Sequence, residues 1–218
     1  MRLIFFTLGL MLALLAPSAP TRAAAGIDDA VAAYERGDLA QARRAFARLT
    51  RDGVPAAEYN LAAMHLRGEL PNANPREALR LMTRAAAAGF VTAIYGLAQM
   101  HELGQGGLRV DLVKANRWYQ HAAEAGSVDG QVAIATAYYL GRGAPKDPAL
   151  AARWFRVAAQ GGDVGAMYIY ASMVESGDGV ERDLNEARYW YGVAARNGDE
   201  AAPSKVKELN ARLGAPAT

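Results

Sequence analysis

The chain has 218 residues, 52% of them hydrophobic, enough for one domain or one elongated array with a continuous core. Its formal charge is +2, but Arg2 and Arg22 lie in an opening stretch without acids, so the remainder is neutral and carries no basic run of the kind that binds nucleic acid. With no cysteine there is no disulfide, thiolate or Cys-based metal chemistry, and stability must come from packing.

Residues 1–25 read as a signal peptide. Arg2 supplies the positive start, and Leu3–Ala16 (LIFFTLGLMLALLA) is apolar but shorter than the roughly 20 residues a spanning helix needs. Small residues follow, with cleavage expected after Ala25 or Ala23; an uncleaved anchor is the alternative. The expected location is the bacterial periplasm or the medium. Residues 26–53 contain AVAAYERGDLAQARRAFARLTRDG (Ala30–Gly53), a short helical hairpin turning at Gly37-Asp38.

Four longer units follow, over 54–89, 90–126, 127–162 and 163–198. Each reads as two amphipathic helices. In the first unit these are AAEYNLAAMHLRG (Ala56–Gly68) and NPREALRLMTRAAAAG (Asn74–Gly89). The later second helices read KANRWYQHAAEAG (Lys114–Gly126), LAARWFRVAAQGG (Leu150–Gly162) and NEARYWYGVAARNG (Asn185–Gly198). Residues 200–214 hold PSKVKELNARLG (Pro203–Gly214), a polar amphipathic helix without a partner, expected to cap the last unit.

The units keep one spacing. Trp118, Trp154 and Trp190 are thirty-six residues apart, as are Asp111, Asp147 and Asp183; Gly107, Gly143 and Gly179; and Gly126, Gly162 and Gly198. A period of this length means stacked supersecondary units. Ala115, Trp118, Tyr119, Ala122 and Ala123 form one apolar stripe at helical spacing. Each Asp precedes that helix as an N-cap, each glycine of the last set closes it, and Pro148 suits a first turn. The tryptophans are expected to be the buried aromatics that join neighbouring units, with Leu81 in their place in the first unit. Burying each would contribute about 4–6 kcal/mol before entropy.

YNLAAMHLRGEL (Tyr59–Leu70), the loops LGRGAPKDP and SGDGVERDL, and the helix ending WYQHAAEAG resemble Sel1-like repeats, a branch of the tetratricopeptide-like superfamily. The resemblance covers about 54–198, and the hairpin before it resembles a tetratricopeptide unit. It implies an all-α fold, a right-handed solenoid of stacked hairpins. It also implies a non-enzymatic adaptor that binds a protein or peptide partner, with exported bacterial members serving the cell envelope. The alternative from another class is an envelope enzyme, or an accessory subunit contacting peptidoglycan or polysaccharide.

In similar proteins the first helices line a concave groove. That places Tyr59, Tyr95, Val132 and Tyr168 at one level. Ala63, Gln99, Thr136 and Ser172 form a second, and Leu66, Glu102, Tyr139 and Glu175 a third. The protein-binding candidates are Tyr59, Tyr95, Gln99, Glu102, Thr136, Tyr139, Tyr168, Ser172 and Glu175. Aromatics supply contact area and hydroxyls supply hydrogen bonds. Packing between repeats is the competing role for the tyrosines. None of these positions is Lys or Arg, so a clamp for a C-terminal carboxylate is not expected.

No catalytic residues, cofactor or metal are expected. His65 and His101 share one place in consecutive units without a third ligand in register, and packing explains them better. Ser204 and Lys207 form an SxxK pair with none of its companion motifs, and Ser204 after Pro203 is expected to be an N-cap. The recurring glycine pairs lie between helices and read as turns, not phosphate cradles. GDGVERD lacks the spaced acids of a calcium loop.

Overall fold

The computed structural model describes residues 22–214, which form eleven α-helices and no strand. The signal-peptide reading lies on residues 1–21, outside the described residues, except for its last four positions. Helix α1 (Arg22–Glu35) begins there, so cleavage after Ala23 or Ala25 would fall in its first turn. It pairs with α2 (Leu39–Arg51). Four hairpins follow: α3 (Pro55–Leu66) with α4 (Pro75–Ala87), α5 (Val91–Leu103) with α6 (Leu112–Glu124), α7 (Val128–Leu140) with α8 (Pro148–Gln160), and α9 (Val164–Ser176) with α10 (Leu184–Arg196). Helix α11 (Ala202–Arg212) packs on α10. The main contacts join consecutive helices, as expected of a solenoid.

Local chemistry sets the helix boundaries. The Asp111 carboxylate accepts the Lys114 N–H at 2.9 Å, Asp147 accepts that of Leu150 at 2.9 Å, and Asp183 accepts those of Asn185 and Glu186. Asn74 does the same for α4. Each cap satisfies donors that the first helical turn leaves open. Gly126, Gly162 and Gly198 follow the helix ends with positive φ.

One cap differs from expectation. Ser204 is inside α11, where its hydroxyl donates to the Ala201 carbonyl at 2.7 Å. The N–H groups of Ala201 and Ala202 are instead met by Asp199, at 2.9 and 2.7 Å. An acid three residues before the helix reaches the free donors better than a hydroxyl inside its first turn.

The loop glycines also shift register. A Cβ on Gly143 would lie 2.6 Å from Leu112 atoms, and one on Gly179 2.3 Å from the Pro148 backbone, where each loop presses on the preceding unit's second helix. The matching contact in the earlier unit, with Leu79 and Pro75, is made by Gly106 and not Gly107. The extra residue of that loop therefore lies after Gly106, between it and Val110.

The deep core is not the tryptophan column. Trp118, Trp154 and Trp190 are half-buried on the edge of the apolar stripe, although Trp118 and Trp154 each touch two core clusters. The buried position is the next one: Met82, Tyr119, Phe155 and Tyr191 are 0–5% exposed. Around them pack alanines of both helices, such as Ala98 and Ala115 or Ala135 and Ala151. Alanine lets neighbouring helices approach closely, and first-helix side chains such as Met64, Met100, Ile134 and Met173 complete the core beside these residues. Leu81, in the tryptophan place, is wholly buried in the first unit.

Candidate partner-binding surface

The nine candidate residues do not form one uniform row. Tyr95 and Glu102 on α5 meet Tyr119 on α6. The two tyrosine rings lie 5.4 Å apart, and the Tyr119 hydroxyl donates to Glu102 Oε2 at 2.6 Å. Burial first, and the bond to a carboxylate second, push the Tyr119 phenol up, so it remains a donor across the physiological range. Tyr95 is also raised, mainly by burial and then by the charges of Asp129 and Glu102. Gln99 is exposed beside them.

Helix α7 and the loop after it close the other side. Thr136 is half-buried, with its hydroxyl donating to the Val132 carbonyl at 2.8 Å. Arg142 stands 3.6 Å from Glu102 Oε1, and the Arg142 carbonyl accepts from Asn116 at 2.7 Å. Tyr95, Gln99, Glu102 and Thr136 thus line one cleft with Tyr119, Ala133 and Arg142, of about 230 Å³.

The other candidates lie elsewhere. Tyr59 packs on Phe90, with ring centroids 5.7 Å apart. Tyr139 lies under the Lys146 ammonium at 5.7 Å. Tyr168 and Glu175 rebuild the α5–α6 arrangement at the end of the chain. The Tyr168 and Tyr191 rings are 5.0 Å apart, and the Tyr191 hydroxyl donates to Glu175 Oε2 at 3.0 Å. Ser172 is exposed beside them. Here α11 covers the acid: Lys205 Nζ is 3.2 Å from Glu175, and Arg212 is 2.7 Å away. Burial opposes ionisation of Glu175, but bonds from Lys205, Tyr191 and Arg212 outweigh it and hold its carboxyl below the usual value.

Tyr119, Tyr191, Arg142, Lys205 and Arg212 were not among the candidates, because all lie outside the first helices of the four units. One signal in the sequence bears on them: Tyr119 and Tyr191 recur in the same alternate units as Glu102 and Glu175.

The histidines have local roles. His65 Nδ1 accepts the Asn74 N–H at 3.1 Å, tying α3 to the start of α4, and the His101 carbonyl accepts the Asp111 N–H at 2.9 Å. Among the described residues, no three His, Asp or Glu side chains gather as a metal site, and no helix is long and apolar enough to cross a membrane.

Residues 55–90, 91–127, 128–163 and 164–199 each match the Sel1 repeat. A protective antigen of uropathogenic Escherichia coli with an SLR fold superposes with a TM-score of 0.81 at 25% identity, over 90% of this chain and 43% of that one. A Sel1 repeat protein from Oxalobacter formigenes gives 0.73 at 31% identity, over 78% and 49%. An immunity protein from Pseudomonas aeruginosa gives 0.53 at 20% identity, over 86% and 69%, and shares the fold. This chain spans less than half the length of the first two. No curated protein matches it in sequence. With four Sel1 repeats in succession and the helical hairpins they form, the chain belongs to the Sel1 repeat family.

Proposed function

We propose that this chain is a non-enzymatic adaptor of the bacterial cell envelope, holding a polypeptide partner at the surface around Tyr95, Gln99, Glu102 and Thr136. Sel1 repeat proteins generally mediate protein–protein interactions, and that supports the class. The observation that carries the site is the cleft itself. Aromatic, amide, carboxylate and hydroxyl side chains converge there, with no nucleophile and base paired for chemistry. Export rests on the charged start and apolar run of residues 1–25.

The test is crosslinking in cells from a photoreactive residue at Gln99, compared with one at Arg153, which is exposed on a second helix. The proposal expects a discrete polypeptide captured from position 99 and lost in a folded Thr136→Arg variant. Equal capture from both positions, or none from 99, contradicts it.

A further inference from the structure

The two Tyr–Tyr–Glu clusters are the same device in two states, and the second shows what the first lacks. The step that carries Tyr119 onto Tyr191 carries Ala133 onto Lys205 and Thr136 onto Glu208. In the last unit the Lys205 side chain runs over the cluster, with Nζ 6.0 Å from the Tyr191 ring centre and 3.2 Å from Glu175. Arg212 adds a second cation. In the earlier unit Ala133 and Thr136 are too short to reach the acid, and the cleft occupies that place. Glu102 is correspondingly more open, with its side chain 31% exposed against 13% for Glu175. It receives one hydrogen bond, from Tyr119, and one longer contact from Arg142, whose own side chain is 56% exposed.

We propose that the Tyr95–Glu102–Tyr119 cleft is a receptor for a lysine side chain of the partner polypeptide, seated as Lys205 is seated over Glu175 and Tyr191. This rests on the adaptor reading for its partner, but the site is defined by the chain's own chemistry. The lysine stem lies along the tyrosine faces, which favour a cation above them. The ammonium reaches Glu102, where a charge-assisted hydrogen bond forms in a partly desolvated place. Arg142 moves aside or shares the carboxylate, as Lys205 and Arg212 share Glu175. The third repeat lacks this device: Val132, Tyr139 and Phe155 stand at the three positions and provide no acid.

The probe is lysine capped as its N-acetyl methylamide, titrated into the protein with the tyrosine ring signals followed by NMR. Saturable, millimolar binding that shifts Tyr95 and Tyr119 is expected, with capped norleucine leaving them unmoved. Glu102→Gln should weaken binding by about tenfold or more, since it removes the charge from the bond. Ala133→Lys should abolish binding by filling the cleft. Equal shifts with capped norleucine, or binding indifferent to Glu102→Gln, overturn the proposal. If capped lysine binds as expected but no polypeptide is crosslinked from position 99, the adaptor reading fails and the lysine site stands. A polypeptide crosslinked there without Glu102-dependent lysine binding gives the reverse.

Discussion

Repeats 91–127 and 128–163 share helix lengths, an Asp cap and a central alanine packing, yet differ at three linked places. The first has Tyr95, Glu102 and Tyr119, with a hydroxyl-to-carboxylate bond across its two helices. The second has Val132, Tyr139 and Phe155, and its central ring has no polar tip to satisfy. Repeat 164–199 returns to the first pattern. The central position must be large and buried in every unit, but its hydroxyl is present only where a glutamate is there to receive it. Packing therefore fixes the shape of the residue, while the polar tip and its acid vary from unit to unit on an unchanged backbone.

That contrast can be broken at its core first. Phe155→Ala should cost about 3–5 kcal/mol in urea unfolding, as for a fully buried aromatic. Trp154→Ala, on the half-exposed edge, should cost about 1–2 kcal/mol, because only part of its area leaves water. A larger loss at Trp154 than at Phe155 would return the deep core to the tryptophan column.

The junctions between units come next. Gly179 has φ +71° and no room beside Pro148, whereas Gly162 has φ +97° and open space around it. Gly179→Ala should cost at least about 2 kcal/mol and Gly162→Ala about 1 kcal/mol, as measured by thermal unfolding. Equal costs would mean that the loop does not press on the preceding unit.

The acid in the covered cluster sets a pH signature. Glu175 is held below its unfolded value of 4.5, so its stabilisation is fully present above 4.5 and drains as pH falls through the lower folded value. Glu175→Gln should cost about 1–2 kcal/mol at neutral pH and flatten that part of the acid limb in a pH series of melts. An unchanged acid limb would separate Glu175 from the stability of α11. The smallest effect is at the open cleft: Gln99→Ala, on an exposed side chain, should change stability by less than about 0.5 kcal/mol while altering partner capture.

Much of this architecture is legible in the residues because it rests on short-range chemistry. Asp111, Asp147 and Asp183 announce helix starts, and the glycines after each second helix need positive φ. The choice between Trp118 and Tyr119 as the deep residue is not legible in that way. Both adjoin the alanine stripe, and only the tilt of the packed helices decides which points inward. The extra residue of the Gly104–Gly107 loop is equally ambiguous until Pro75 and Leu79 are seen against Gly106. At the candidate site, a first-helix pattern yields Tyr95, Gln99 and Glu102 but not Tyr119. The bonds of Glu175 to Lys205 and Arg212 link residues thirty or more apart, and no local pattern encodes them.

The most direct test of the equivalence between the two clusters is a thermal-unfolding cycle of wild type, Ala133→Lys, Glu102→Gln and the double variant. If the cleft is a vacant lysine place, Ala133→Lys raises the melting temperature by about 2–4 °C, and the gain disappears when Glu102 is Gln. A lysine at 133 that gives no gain, or the same gain with and without the Glu102 charge, would contradict the account.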